Sequence, residues 1–155
     1  MNRHSHHLKR INCLVLLLIS FSMTGITIAG DLTLEIGNLR GNSGNLLISV
    51  FNNSADYSAA LEDSGQFHTF VALRPYSQSI KLTFSNFPAG TYAVIAVHDE
   101  NSNNHFDSSV LGIPMEGLAI SNTDGASSTP IFEEAAFVHP ERKDSVQQLA
   151  LHYFN

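Results

Sequence analysis

Residues 91–98, TYAVIAVH, form the stretch of the sequence that decides the predicted fold. In an extended strand, successive side chains point to opposite faces. Both sets of alternate side chains are apolar here: Tyr92, Val94 and Ala96 on one face, and Ala93, Ile95 and Val97 on the other. Such a strand is typically central in its sheet and covered on both sides. The preceding turn, Pro-Ala-Gly at 88–90, predicts where the strand begins.

Further strand signals lie on both sides of this stretch, at residues 32–37, 46–51, 80–84 and 148–153. A short strand within 111–122 is also predicted, whereas 131–138 fits either one helical turn or a strand. Six or seven short strands separated by turn residues indicate an all-β fold. We therefore predict a single antiparallel β-sandwich, immunoglobulin-like or transthyretin-like.

One short helix is predicted between residues 54 and 63, SADYSAALED. Tyr57, Ala60 and Leu61 would share one face of it, as helical spacing requires. Ser54 or Asp56 would cap its first turn, because short oxygen-bearing side chains accept hydrogen bonds from free backbone N–H groups.

The first 29 residues have the three parts of a secretory signal peptide. Residues 1–10 carry three basic and no acidic side chains, residues 11–21 are almost wholly apolar, and Thr27 and Ala29 fit a small-residue cleavage site. The predicted organisation is a signal peptide at 1–29 and the sandwich domain at 30–155. A retained membrane anchor is the alternative, but polar residues dilute the apolar run. The expected location is secreted or periplasmic, with no membrane span after cleavage.

The charge balance excludes some classes of partner. The chain has 8 basic and 14 acidic residues, and three of the basic ones precede Gly30, so 5 basic residues and a net charge of −9 remain. Such an acidic domain repels phosphate backbones, which excludes nucleic acid as a partner. Cys13, the only cysteine, leaves with the signal peptide, so we expect a monomer without disulfides. The sequence contains no G-x-S-x-G, HExxH, P-loop or dinucleotide motif.

The candidate site is the segment HDENSNNHFD at residues 98–107. Four oxygen-bearing side chains occupy positions one, three, five and nine of a calcium-loop spacing: Asp99, Asn101, Asn103 and Asp107. His105 would offer its backbone carbonyl at position seven, and Glu116 would fold back to close the site. Asn104 stands at position six, where glycine is usual, and it must adopt a left-handed backbone. The alternative is an Asx-rich loop whose side chains cap their own backbone.

Histidines give a second, weaker interpretation of this segment. His98 and His105 with Asp99 and Glu116 could bind a transition metal, although the spacing matches no zinc motif. We expect His98 instead to end its strand and to hydrogen-bond the loop backbone. The scattered histidines His68, His139 and His152 are predicted to lie at the surface.

The stretch at residues 87–122, FPAGTYAVIAVHDENSNNHFDSSVLGIPMEGLAISN, resembles the domain-of-unknown-function 2141 family of uncharacterised secreted bacterial proteins. The shared elements are G-x-Y-A, H-D-x-N-x-N-x-x-x-D and G-x-P-x-E-G-x-x-x-S-N. The chain departs from the family pattern at Asn104 and Ala119. The resemblance implies export and a β-sandwich, and it implies no activity.

Three functions remain open from the sequence. The leading hypothesis is a secreted, non-enzymatic binding or structural module with a calcium-stiffened loop, whose partner is a ligand or an envelope component. The first alternative is a small hydrolase of cell-envelope polymer that uses Asp99 and Glu116 as its carboxylates. The second is an adhesion or envelope-assembly module, which an exposed apolar patch near residues 111–118 would favour.

Overall fold

The computed structural model describes residues 29–62, 71–124 and 129–154, and these contain eight strands and two short helices. The predicted signal peptide lies outside the described residues, except for Ala29, and so does His68. None of the described helices is long and apolar enough to cross a membrane. The elements in chain order are β1 Leu32–Gly37, β2 Asn45–Phe51, α1 Ser54–Glu62, β3 Val71–Leu73, β4 Ile80–Phe84, β5 Gly90–Asp99, β6 Gly117–Ile120, α2 Phe132–Ala135, β7 Phe137–His139 and β8 Ser145–Ala150.

The strands form two sheets, which is consistent with a β-sandwich. One has the order β4-β1-β8, and the other has the order β3-β2-β5-β6, with β7 also paired to β5. The pairing of β1 with β8 is parallel, with Leu32 opposite Ser145. The prediction of a wholly antiparallel fold was therefore wrong at this pair. Parallel neighbours need a long connection between them, and here most of the chain separates the two strands.

The main core lies between the sheets and confirms the interpretation of residues 91–98. Val94 and Ala96 of β5 are buried in one cluster with the apolar side chains of β1 and β2. The opposite face of β5 belongs to a second cluster, in which Ala93, Ile95 and Val97 pack with residues of α1 and α2. Since both faces of β5 are covered, it can be apolar throughout.

The predicted helix is present as α1, and the face named from its spacing is the buried one. Tyr57 and Ala60 are buried, and Leu61 packs partly against the same cluster. Its first turn is capped by Asn53 rather than by Ser54 or Asp56. The Asn53 side-chain oxygen accepts a 2.9 Å hydrogen bond from the Asp56 backbone N–H. The helix begins at Ser54, which is one residue earlier than a Ser54 cap would need and three residues earlier than an Asp56 cap would need.

Residues 131–138 contain both predicted alternatives in succession, since α2 is followed directly by β7. The strand makes His139 a buried residue, so its predicted surface position was wrong. Its ring nitrogens bond the Ser145 hydroxyl at 2.6 Å and the Phe87 carbonyl at 3.0 Å. Pairing with β5 at Gly90 turns this side chain inward, a long-range contact that no local pattern indicates.

The closing strand begins earlier than predicted and ends at Ala150. Two residues later the chain crosses to the other sheet, where His152 and Leu118 exchange backbone hydrogen bonds of 2.9 and 3.0 Å. This crossing ties β6 to the end of the chain and places Tyr153 beside the candidate site.

Candidate functional site

The candidate site is the loop 99–116, which we call the acidic loop. It leaves β5 at Asp99 and returns at the start of β6, where Gly117 pairs with His98. Both ends are therefore held by neighbouring strands of one sheet. Phe106, inside the loop, packs against the cluster beneath the helices. These anchors fix the position of the loop on the sheet.

The first half of the acidic loop curls around the Asp99 carboxylate. Its two oxygens accept backbone hydrogen bonds from Asn103 at 3.1 Å and from Asn104 at 2.8 Å. The Asn101 side-chain oxygen accepts from the Asn103 N–H at 2.9 Å, and that of Asn103 accepts from the His105 N–H at 2.8 Å. These are the Asx bonds of the self-capping alternative.

Two residues of this curl have a left-handed backbone. Ser102 has φ of 60° and Asn104 has φ of 59°. Asparagine adopts this conformation more readily than most residues with a side chain. The predicted left-handed conformation at Asn104 is therefore present, without the glycine that is usual there.

Asp107 and Glu116 complete the acidic loop from its second half. One oxygen of Asp107 accepts from the side-chain amides of Asn101 at 2.6 Å and Asn103 at 3.1 Å. The two oxygens of Glu116 accept from the backbone N–H of Glu100 at 3.1 Å and of Asp107 at 3.2 Å. Glu116 thus folds back and joins the beginning of the loop to its middle.

Two carboxylates of the acidic loop, those of Asp99 and Glu116, are buried, whereas Glu100 and Asp107 are half-buried. The exposed fraction is 0% for Asp99 and 3% for Glu116. Burial, together with the negative charges of Asp99 and Asp107, raises the pKa of Glu116 to about 7, although its backbone hydrogen bonds oppose the rise. The fold therefore keeps an acidic side chain where its ionisation is costly.

The two histidines near the loop have separate surroundings. His105 is exposed, whereas His98 is fully buried and bonds the Tyr153 hydroxyl at 2.7 Å and the Ser43 carbonyl at 2.9 Å. The prediction that His98 bonds the backbone of the acidic loop was therefore wrong, because its backbone partner is Ser43, which lies between β1 and β2. With both its ring nitrogens engaged, His98 is poorly placed to bind a transition metal.

Within residues 29–62, 71–124 and 129–154, no group of three or more His, Cys, Asp or Glu side chains is arranged to hold a metal. A cation site in the acidic loop would therefore depend on asparagine and backbone oxygens as well as on carboxylates. Those are the ligands of hard cations such as Ca²⁺. The predicted ligand residues all lie in the connection between β5 and β6, and their role as ligands stays a prediction: Asp99, Asn101, Asn103, His105, Asp107 and Glu116.

Sequence reasoning missed the residues that support the loop from outside. Arg40 forms an ion pair with Glu100, and its guanidinium lies 4.4 Å from the centre of the Tyr153 ring. The Tyr153 hydroxyl accepts a 3.2 Å hydrogen bond from the Arg40 backbone N–H. The bond from Arg40 lowers the pKa of Glu100. No spacing in the sequence indicates these contacts, because they join segments far apart in the chain.

Gly44, in the connection between β1 and β2, is a second supporting residue. It has φ of +70°, and a Cβ there would lie 1.9 Å from the backbone oxygen of Asp99. Only glycine lets the connection between β1 and β2 pass this close to the start of the acidic loop.

The outer end of the acidic loop exposes four apolar side chains, which we call the apolar tip: Val110, Leu111, Ile113 and Met115. The apolar tip is a tight turn held by two backbone hydrogen bonds of 2.8 Å. The Ser109 N–H donates to the Ile113 carbonyl, and the Gly112 N–H donates to the Ser109 carbonyl. The Met115 N–H bonds the Asp107 carbonyl at 2.9 Å. An exposed apolar patch is therefore present at residues 110–115, although Leu118 is half-buried. A patch near residues 111–118 was the feature that would favour an adhesion module.

A family model described as an uncharacterized protein conserved in bacteria (DUF2141) matches residues 34–147. The chain belongs to this family. The matched range includes the whole acidic loop and the two strands that hold it. No curated protein matches this DUF2141 chain, and no solved structure does.

Proposed function

We propose that this DUF2141 protein is an exported, non-enzymatic β-sandwich module, immunoglobulin-like or transthyretin-like, whose acidic loop binds one Ca²⁺. The observation that carries the proposal is the position of Glu116. Its carboxylate folds back onto the loop, bonding the backbone of Glu100 and Asp107. In a calcium loop, a carboxylate that returns in this way completes the ring of oxygens. The secreted or periplasmic location is supported by the N-terminal pattern of residues 1–29.

The donor set fits a hard cation. Asp99, Asp107 and Glu116 supply carboxylate oxygens, Asn101 and Asn103 supply amide oxygens, and His105 would supply its backbone carbonyl. These types of oxygen are the usual ligands of Ca²⁺. Hydrogen bonds from neutral N–H groups stabilise the carboxylates without offsetting the negative charge around Glu116, which helps to raise its pKa. A divalent cation would offset most of that charge.

Binding would require the carboxylates of Asp99, Asp107 and Glu116 to converge, because among the described residues no three such side chains are arranged to hold a metal. It would also exchange two hydrogen bonds of the acidic loop. Asp107 now accepts hydrogen bonds from the side-chain amides of Asn101 and Asn103. The metal would replace these two bonds, while the Asn oxygens that already accept backbone bonds keep a second lone pair for it. The curl of the backbone, held by Asp99, needs no rearrangement.

The hydrolase alternative has less support. A general acid and a nucleophile must reach the glycosidic bond of their substrate. Asp99 is fully buried, Glu116 is nearly so, and both are occupied by backbone N–H groups. Such side chains hold a loop together more readily than they contact a polymer.

The test is a calorimetric titration of calcium into the purified protein after treatment with a chelator, combined with thermal unfolding. We expect one site with Kd of about 10⁻⁴–10⁻³ M, and a stabilisation of about 0.4–1.4 kcal/mol in millimolar calcium. Asp99→Asn and Glu116→Gln should abolish both effects.

Glu133→Gln is the matched control, because Glu133 is an exposed acidic residue in α2, outside the acidic loop. It should leave the titration unchanged. If the wild-type protein gives neither binding heat nor a shift in melting temperature, the acidic loop is a self-capped loop and the proposal is wrong.

A second candidate function, an adhesion or envelope-assembly module, is favoured by the apolar tip. Val110 is fully exposed and Leu111 is 81% exposed, which is unusual for side chains held in an ordered turn. The acidic loop beside the tip would favour a protein partner with an apolar groove and a basic rim. The same acidic charge disfavours an anionic membrane or a second copy of the chain.

The test of this candidate is a photo-crosslinker placed at residue 111 in living bacteria, with residue 138 as the control. Val138 is also exposed, at 69%, but it lies on β7. We expect an adduct from residue 111 alone, and the partner that it identifies should bind the wild-type protein in purified form but not the Leu111→Asp variant. Equal crosslinking at both positions would contradict a specific interface.

A further inference from the structure

A cleft of about 580 Å³ opens along the three-stranded sheet and shares no residue with the acidic loop. Side chains from all three strands line it, including Glu35 of β1, Lys81 of β4 and Gln148 of β8. Tyr76, from the loop between β3 and β4, forms part of its wall. The volume is within the range of protein sites for small molecules.

The polar groups of the cleft carry no net charge. Lys81 and Glu35 form an ion pair of 3.0 Å, and the Gln148 amide lies 3.5 Å from the second oxygen of Glu35. A strongly charged ligand would have to compete with this pair. A neutral ligand with several hydroxyl groups would not, because hydroxyls both donate and accept, and the cleft offers a cation, a carboxylate and an amide.

Tyr76 provides an aromatic surface for such a ligand. Its side chain is 77% exposed, although large aromatic side chains usually bury most of their area. Its loop is nevertheless anchored, since Pro75 is buried and the Gln78 carbonyl accepts a 3.1 Å hydrogen bond from the Leu39 N–H. An exposed ring on an anchored loop, beside polar side chains, suits the flat C–H face of a pyranose sugar.

From this combination we propose that the cleft binds a neutral saccharide, with Tyr76 stacking on one sugar ring. Glu35, Lys81 and Gln148 hydrogen-bond the hydroxyl groups of that sugar. The hydroxyls of Ser79 and Thr123, which also line the cleft, extend the same chemistry. The site is independent of the acidic loop, so it holds whether or not that loop binds calcium.

The test is titration of the purified full chain with maltose, cellobiose, mannobiose and diacetylchitobiose, followed by saturation-transfer NMR. We expect at least one disaccharide to bind, equally well with and without a calcium chelator. Tyr76→Ala should weaken that binding about tenfold, Tyr76→Phe should retain it, and Lys81→Met should weaken it.

Val146→Ala is the control on the same sheet. Val146 is exposed on β8, two residues from Gln148, and does not line the cleft, so its loss should change nothing. Absence of binding by all four disaccharides overturns the proposal, as does binding that Tyr76→Ala leaves intact. Tighter binding of glucose 6-phosphate or glucuronate than of the neutral sugars would overturn the assignment of a neutral ligand.

Discussion

Asp99 and Glu116 are buried in the same loop, close enough for the charge of Asp99 to help raise the pKa of Glu116. Seventeen positions separate them in the sequence. Asp99 organises the first half of the loop through two backbone hydrogen bonds, and Glu116 ties that half to Asp107. Burial is the main cause of the raised pKa, and repulsion from Asp99 adds to it; a bound cation would relieve that repulsion.

The first prediction concerns pH. The pKa of Glu116 is raised from 4.5 to about 7 in the folded protein, so the folded state binds this proton more tightly than the unfolded state. The contribution of Glu116 to stability is then fully present below pH 4.5 and is lost as pH rises toward 7. The loss is about 3 kcal/mol.

Urea unfolding of calcium-free protein at several pH values measures this effect. Glu116→Gln should flatten the decline between pH 4.5 and 7, because its amide does not ionise. Other groups titrate equally in the wild type and in the variant, so the difference between their free energies of unfolding at each pH reports the titration of Glu116. Parallel pH profiles would contradict the raised pKa.

The second prediction concerns the left-handed residue Asn104, with φ of 59°. Asn104→Val should destabilise the protein by about 1–3 kcal/mol, because a β-branched side chain is strained in this conformation. Asn104→Gly should stay within about 0.5 kcal/mol of wild type. Both variants keep the backbone N–H that bonds Asp99, so urea unfolding compares the backbone conformation alone. Equal stability of the two variants would show that the strain is absent.

The third prediction compares Gly44 with Gly112, in order to separate the cost of a positive φ from the cost of a steric clash. Gly44 and Gly112 have nearly the same φ, +70° and +75°, but only at Gly44 would a Cβ meet other atoms. Gly112→Ala should cost about 1–2 kcal/mol from backbone strain. Gly44→Ala should cost about 2–5 kcal/mol, because it must also move the backbone of Asp99. Thermal unfolding of both variants measures the difference, and equal losses would mean that the close approach does not matter.

The fourth prediction concerns the buried hydrogen bond between His98 and Tyr153. The Ser43 carbonyl can only accept, so in the neutral ring Nε2 of His98 donates to it, and Nδ1 accepts from the Tyr153 hydroxyl. Tyr153→Phe should cost about 1–3 kcal/mol, because it leaves Nδ1 without a partner. Tyr92→Phe is the control, since that hydroxyl bonds the Pro88 carbonyl where solvent can replace it. Urea unfolding that gives the same loss for both variants would contradict the role assigned to Tyr153.

Several features followed from the sequence because they depend on local spacing. The strand at 91–98, the helix face of Tyr57 and the left-handed backbone at Asn104 each arise from neighbouring residues and from the geometry of one element. The period-two pattern reports which faces are buried. The sequence also located the acidic loop, because a run of Asn and Asp residues directly after an apolar strand predicts that the chain leaves the sheet there.

The sequence by itself therefore determined β1, β2, α1, β4 and β5, the buried faces of α1 and β5, and the composition of the candidate site, but it did not predict β3. Only the tertiary structure decided that β1 pairs with β8 in parallel, that His139 is buried, and that Glu116 reaches Glu100 and Asp107. Alternation of side chains is the same for a parallel and an antiparallel neighbour, so it carries no information about strand direction. Contacts such as the bond from Arg40 to Tyr153 join residues 113 positions apart, and their free energy is gained only when the whole chain has packed.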